Sequence, residues 1–222
     1  MITVINESNR VVSIPTWVVD LESFRRWADA DDFPDDGRAW YLKGEVWIDM
    51  SKEQVFTHLA VKREFYYVLT GLVKMGDLGL FLPDGLLLSN MAADISGKPD
   101  ATFVSTDSIQ AKRVELVEGW DGGFVEMEGT PDMVLEVVSA SSVHKDTVVL
   151  RQGYWQAGIP EYWLVDARQE PIRFDIFRRT AKGYTTTRKR DGWIKSAVFG
   201  KSFQLLQRVN AVGHPEYTLA VR

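Results

Sequence analysis

The chain has 222 residues, a formal net charge of −5, 45% hydrophobic and 12% aromatic residues, and no cysteine. This content is typical of one globular domain over residues 1–222, and the missing cysteines exclude a disulfide framework, a zinc–thiolate site and a thiol nucleophile. No signal sequence opens the chain and no stretch approaches the ~20 apolar residues of a membrane span, so we expect a cytoplasmic protein that does not contact membranes.

In the first half of the chain, the spacing of the apolar residues alternates between helical and strand periodicity. In chain order it predicts a helix over 20–32, two strands over 39–50 that turn at Lys43-Gly44, a long helix over 53–75, a hairpin that turns at 83–85 and a strand over 101–105. Asp20 is typical of a helix cap, and His58 and Lys62 lie one turn apart on the long helix.

The second half predicts the centre of the fold. In chain order it predicts a helix or loop around 106–118, a Gly-rich connection, a strand over 133–138, a helix over 142–157, a strand over 161–167, an exposed basic hairpin within 172–195 and a peripheral hairpin or arm over 196–222. The order strand, helix, strand predicts a parallel crossover and an α/β core covered by helices. Both faces of EYWLVD are apolar, which indicates an interior strand.

Two carboxylates lie at informative positions in this pattern. Asp100 opens one predicted strand, and Glu136 lies inside another that is otherwise apolar. A buried ionised carboxylate is costly unless a cation pairs with it, so Glu136 either faces solvent or serves chemistry. If the strands are neighbours, both carboxylates could hold one Mg²⁺, and a nearby lysine would complete a set of groups suited to phosphodiester hydrolysis. Asp132, ~13 Å along the strand from Glu136, and Asp166 are interpreted as turn or cap residues.

Four segments resemble the Uma-two family of restriction endonuclease-like proteins, within the PD-(D/E)XK nuclease superfamily. They are GEVWIDMSKEQVFTHLAV, KPDATFV, PDMVLEVVS and AGIPEYWLVD, of which the last is the most specific, and the similarity covers about residues 39–180. The resemblance implies a restriction endonuclease-like α/β fold, with a central mixed sheet flanked by helices and extra β elements at both ends of the chain. It also implies Mg²⁺- or Mn²⁺-dependent cleavage of nucleic acid, foremost DNA, by a homodimer.

The resemblance also assigns residues. Asp100 and Glu136 would bind the metal, the backbone carbonyl of Val137 would be a further ligand, and His58 would lie towards the cleft. The alternative for His58 is a partly exposed helix histidine whose hydrogen bonds are satisfied by a neighbour.

The family lysine is where this sequence departs from the pattern. Val138 occupies the position of the superfamily lysine, and Leu150 occupies the position of the Uma-type lysine. Lys145 could replace it, although five residues along an α-helix rotate by ~140°, so Lys145 and Leu150 would not face the same way. Alternatively, Lys145 is solvated and Asp146 only favours the helix N-terminus.

Three functions therefore remain open. The first is a nuclease with Asp100, Glu136, Lys145 and His58 at its active site. The second is a nuclease fold that persists as a non-catalytic binding module, which the acidic net charge and the missing lysine favour. The third is a metal-dependent hydrolase of a small phosphorylated molecule, which would need no broad basic surface.

Overall fold

The computed structural model of the chain describes residues 2–5, 11–34, 38–49, 52–120 and 122–222. Its strands are β1 Ile2–Ile5, β2 Val11–Ile14, β3 Arg38–Leu42, β4 Glu45–Asp49, β5 Gly79–Pro83, β6 Leu87–Asn90, β7 Ile95–Gly97, β8 Ala101–Ser105, β9 Val114–Glu118, β10 Phe124–Gly129, β11 Met133–Val137, β12 Glu161–Asp166, β13 Arg173–Thr180, β14 Gly183–Thr186, β15 Ile194–Lys195, β16 Ser202–Val209 and β17 Pro215–Val221. Its α-helices are α1 Leu21–Ala28, α2 Ala60–Gly76, α3 Thr106–Gln110 and α4 Leu150–Gln156. Two π-helical turns, Val55–Leu59 and Lys145–Val149, lead directly into α2 and α4, and a 3₁₀ turn spans Met91–Ala93.

The main sheet has the strand order β14-β13-β12-β11-β8-β5. Its central strands β11 and β12 pair in parallel, and the other pairs are antiparallel. Every residue of β11 and β12 is buried, as expected for strands that are covered on both faces. The parallel crossover and the interior position of EYWLVD, predicted from the sequence, are therefore confirmed.

A second six-stranded sheet, in the order β4-β3-β7-β6-β10-β9, contains most of the N-terminal strands. The hairpin predicted at residues 83–85 is wrong, because β5 pairs with β8 in the main sheet whereas β6 pairs with β7 and β10 in the second. The turn at 83–85 instead carries the chain from one sheet to the other. The segment 106–118 forms a short helix and a strand, and β10, which the sequence did not predict, follows the Gly-rich connection.

The main sheet is buried on both faces. On one face it packs against α2 and the C-terminal strands through apolar side chains that include Phe65, Leu69, Leu135, Trp163, Phe203 and Leu219. On the other face it packs against α4 and the second sheet, through Trp40, Leu88, Val134, Leu150, Tyr162 and Leu164 among others. Each such large side chain contributes roughly 1.5–3 kcal/mol on burial.

The C-terminal segment forms a hairpin, β16–β17, as the sequence predicts, within the three-stranded sheet β15-β16-β17. It is not peripheral, because Phe203, Tyr217 and Leu219 are buried in the same core as α2. The two apolar faces of the main sheet must both be covered, and the C-terminal hairpin covers part of one.

Local sequence signals correctly predicted the ends of several helices and strands. Asp20 caps α1, accepting a hydrogen bond of 2.8 Å from the Ser23 N–H in a reciprocal capping box. Lys43 and Gly44 both have positive φ, of 53° and 88°, as the tight turn between β3 and β4 requires. Gly158, at φ 81°, follows α4 where the sequence predicts the helix to end.

Candidate active site

The two candidate carboxylates lie side by side on neighbouring strands. β11 pairs antiparallel with β8, and Asp100 directly precedes β8. The backbone N–H of Val137 donates a hydrogen bond of 2.7 Å to Oδ2 of Asp100, which ties that carboxylate to the end of β11. Asp100 and Glu136 are only 4% and 3% exposed. Glu136 therefore does not face solvent on a half-exposed strand.

Burial dominates the electrostatics of Glu136. It raises the pKa of this carboxyl well above its ordinary value, while the charge of Lys145 opposes that rise and the charges of Asp146 and Asp100 add to it. The Tyr154 hydroxyl donates a hydrogen bond of 2.7 Å to Oε1 of Glu136. The site thus binds a proton at Glu136 more tightly than solvent-exposed glutamates do.

Lys145 belongs to the same buried cluster. Its Nζ lies 2.6 Å from Oδ1 of Asp146 and 3.8 Å from the centre of the Trp40 ring. Burial alone would lower the pKa of Lys145, but the negative charges of Glu136 and Asp146 outweigh this and raise that pKa. The ring of Trp40 fits here because residue 97 is glycine; a Cβ at Gly97 would lie 1.9 Å from the indole. The alternative of a solvated Lys145 is wrong.

A π-helical turn changes the geometry expected for Lys145 and Leu150. The Leu150 N–H donates to the Lys145 carbonyl, five residues back, so this turn is wider than an α-helical turn. Both side chains are buried. The expectation that they face different ways assumed an α-helical rotation of ~140°, which does not apply to a π-helical turn, so their relative direction stays a prediction.

Asp146 is part of the cluster rather than only a favourable residue at a helix start. Burial raises its pKa, and the charge of Lys145 opposes this rise. Its side chain also accepts a hydrogen bond from the Ser142 hydroxyl, and its backbone carbonyl accepts one of 2.8 Å from Tyr162. These contacts fix the turn that carries Lys145 beside Glu136.

Lys62 is the site residue whose role the sequence did not reveal. Its Nζ lies 3.2 Å from Oδ1 of Asp100 and 3.1 Å from Oε1 of Glu53, and it donates a hydrogen bond to Asp84. Burial alone would lower the pKa of Lys62, but the charge of Asp100 and the hydrogen bond to Asp84 outweigh it and raise that pKa. The one-turn spacing from His58 was the sequence signal that could have pointed to it.

His58 lies towards the carboxylates, in the π-helical turn that precedes α2. Its Nε2 is 3.8 Å from Oδ2 of Asp100 and its Nδ1 is 3.5 Å from Oε1 of Glu53. The side chain is buried rather than partly exposed. Tyr66, two turns further along the chain, donates a hydrogen bond of 2.7 Å to the Asp100 carbonyl. The long helix therefore holds Asp100 from one side through three side chains.

The donor set suits a small hard cation. Asp100, Glu136 and the Val137 carbonyl supply only oxygen atoms, and Mg²⁺-type ions are usually held by one or two carboxylates with water or substrate oxygens. Within the described ranges no group of three or more His, Asp or Glu side chains is arranged around a common metal position. Burial raises the pKa of Glu136 despite the charge of Lys145, and a divalent cation bound there would favour the ionised carboxylate.

Two further aspartates have structural contacts. Asp132 accepts hydrogen bonds from the Ser105 N–H at 2.7 Å and the Ser108 hydroxyl at 2.8 Å. Asp166 binds Arg168 at 2.8 Å. Their interpretation as turn and cap residues agrees with these contacts.

The comparisons with known proteins agree with this architecture. A crystal structure of a putative nuclease belonging to DUF820, from Anabaena variabilis, superposes with a TM-score of 0.59 and 17% sequence identity, over 82% of this chain and 91% of that one. A likeness at this identity shows the fold alone, and it confirms the restriction endonuclease-like α/β class. No curated protein matches the chain. None of the helices in the described ranges has the length and apolar content needed to cross a membrane.

The sequence itself matches a family model over residues 21–207, a wider span than the segments that first showed the resemblance. That model describes the family as "Putative restriction endonuclease". The match covers most of the chain and includes every candidate site residue discussed above. The chain belongs to the Uma2 family.

Proposed function

We propose that the chain is a nuclease that uses Mg²⁺ or Mn²⁺ to hydrolyse phosphodiester bonds of nucleic acid, foremost DNA. The observation that carries this proposal is the buried pair Asp100 and Glu136, held together at the edge of β11 with Lys145 beside them. Family membership supports the same reaction class. A protein without chemistry at this position would gain little from burying two carboxylates and a lysine together.

Each residue has a role in the proposal. Asp100, Glu136 and the Val137 carbonyl would hold the metal, which when bound polarises the phosphate and lowers the pKa of a bound water. Lys145 keeps a positive charge next to Glu136, where it can orient the attacking water and screen developing negative charge. Lys62 lies at the edge of an open groove and can contact a phosphate oxygen. His58 and Tyr66 position Asp100.

The test requires no knowledge of the natural substrate. Mn²⁺ titration by calorimetry compares the wild type with Asp100→Asn and Glu136→Gln, which keep the size of each side chain while removing its charge. We expect stoichiometric binding in the wild type and its loss in both variants. Asp132→Asn, at a carboxylate that accepts hydrogen bonds from Ser105 and Ser108 at the opposite end of β11 from Glu136, is the matched control and should bind as the wild type does.

Cleavage of single-stranded DNA, double-stranded DNA and RNA is then measured under the same metal conditions. If the wild type neither binds Mn²⁺ nor cleaves any of these substrates, the non-catalytic binding module becomes the better description. Cleavage of small phosphate esters alone would favour the hydrolase of a small phosphorylated molecule. The proposal includes a homodimer, and sedimentation velocity measures the oligomeric state directly.

A further inference from the structure

A shallow, open depression of about 670 Å³ lies along the solvent side of α2, and all of its lining residues belong to this helix and the π-helical turn before it; we call it the α2 groove. Its lining includes Lys62, Arg63, Tyr66, Tyr67, Gly71 and Lys74. One end is formed by Lys62 and Tyr66, the two side chains that contact Asp100. The α2 groove therefore ends at two side chains that contact Asp100.

The exposed side chains of the groove follow one stripe of the helix. Arg63, Tyr67 and Lys74 are four and seven residues apart, so they share a face and span about 16 Å along the helix axis. Tyr67 is 80% exposed and lies between the two basic residues. Among the described residues that line the α2 groove none is acidic, although Lys62 at its end pairs with Glu53, Asp84 and Asp100.

Gly71 leaves the backbone of α2 uncovered on this face of the helix. A glycine inside a helix is destabilising relative to alanine, so it usually has a packing reason. At Gly71 there is none in the described structure, because a Cβ built there meets no atom within 4 Å. The missing side chain instead leaves the helix backbone open to a ligand in the groove.

We propose that the α2 groove binds single-stranded nucleic acid and leads it to the catalytic carboxylates. An unpaired base stacks on Tyr67, and the flanking phosphates contact Arg63 and Lys74. Aromatic rings and basic side chains in a groove are the combination that binds single strands without reading sequence, since every unpaired base presents a flat face. In a duplex those faces are covered by neighbouring bases. This inference rests on the proposed nuclease function and names the form of its substrate.

The first experiment measures the binding of a fluorescent single-stranded oligonucleotide by anisotropy, with chelator present to prevent cleavage. Tyr67→Ala should weaken binding about 10-fold, whereas Tyr67→Phe, which keeps the ring, should bind as the wild type does. Arg63→Gln should reduce the slope of log affinity against log salt by about 0.7, the value for one phosphate contact on a single strand.

Gly71 provides the matched pair of variants. Gly71→Glu places a negative side chain in the groove and should weaken binding at least about 10-fold by charge repulsion and steric exclusion. Gly71→Ala, which adds only a Cβ in open space, should retain binding and raise the melting temperature slightly. Comparing these two variants separates an effect on ligand binding in the groove from an effect on the stability of the helix.

Hydrolysis of bis(4-nitrophenyl) phosphate with Mn²⁺ distinguishes the groove from the active site, because this small diester does not need the groove. Unchanged hydrolysis in the variants together with weakened oligonucleotide binding supports the inference.

If the groove variants bind the single strand as the wild type does, or a duplex of the same length competes equally well, the inference is overturned and the nuclease proposal stands. If the variants change the oligomeric state and not the binding, a second copy of the chain occupies the groove and the inference is also overturned. Weakened binding in a protein that hydrolyses no diester would support the groove and overturn the nuclease proposal.

Discussion

Two buried lysines lie on opposite sides of the same carboxylates, and their surroundings differ. Lys145 is enclosed by Asp146, Glu136 and the face of Trp40, and borders a pocket of only about 60 Å³. Lys62 lies at the end of the α2 groove, which is about ten times larger. Two of its partners, Glu53 and Asp84, keep 29% and 37% of their side-chain surface exposed.

This difference lies in the partners of the two lysines rather than in their own exposure, because both lysine side chains are almost fully buried. The carboxylates around Lys145 are themselves buried, so removing its charge would leave them without a counter-ion. Two of the carboxylates around Lys62 reach solvent, so the ion pairs of Lys62 border open solvent. Both lysines have raised pKa values, so both remain cations over the ordinary range of pH. We expect Lys145 to matter more for stability and Lys62 more for turnover.

The largest expected effect is that of Lys145→Met. Removing the cation leaves Glu136 and Asp146 buried beside one another, and loss of one partner of a buried ion pair typically costs ~3–5 kcal/mol. Urea unfolding of the metal-free protein measures this loss. The double variant Lys145→Met with Asp146→Asn should recover part of it. A loss below ~1 kcal/mol in the single variant would show that Lys145 is not the counter-ion of the cluster.

The next largest effect is that of Lys62→Met on nuclease turnover. We expect a decrease of about 100-fold, which is typical of removing one group that stabilises charge in the transition state. The free energy of unfolding should fall by less than in Lys145→Met, because Glu53 and Asp84 already reach solvent. Lys62→Arg keeps the charge and should retain more activity. Equal losses of stability in the Met variants at both lysines would remove the distinction between them.

The smallest effect concerns pH and Glu136. Its folded-state pKa is raised above the ordinary 4.5, so the folded state binds more protons than the unfolded state between these two values. The stability of the metal-free protein should therefore fall as pH rises from about 4.5 through the raised pKa, by up to ~1.4 kcal/mol for each pH unit. Thermal unfolding at a series of pH values measures this slope. Glu136→Gln should flatten it, and an unchanged slope would assign it to other groups.

The sequence predicted most elements whose signal is local. The strand predicted over 101–105 is β8, residue for residue, and the cap at Asp20 and the stop at Gly158 mark helix ends. The turn at 83–85 was misread because Pro-Asp-Gly forms the same tight turn whether the chain returns beside itself or crosses to another sheet. Strand pairing is decided by distant contacts, which local chemistry does not encode.

The candidate site, like the fold, was predictable only where the signal lies in the local sequence. Glu136 stood out because a charge inside an apolar strand is visible in the sequence. Lys62 did not, because its role depends on α2 packing against the segment that carries Asp100. The directions of Lys145 and Leu150 were not predictable for another reason: a π-helical turn has no clear sequence signature, and both helices of the site begin with one.

The contact between Trp40 and Lys145 has a consequence for shortening this chain. Both carboxylates and both lysines lie between residues 62 and 145, so a design could discard the first two strands of the second sheet, β3 and β4. Such a truncation would remove the indole that supports the Lys145 ammonium at 3.8 Å, and it would uncover the backbone at Gly97 on which that ring rests. The smallest fragment that keeps the surroundings of Lys145 therefore includes β3, and the second sheet supports the candidate site.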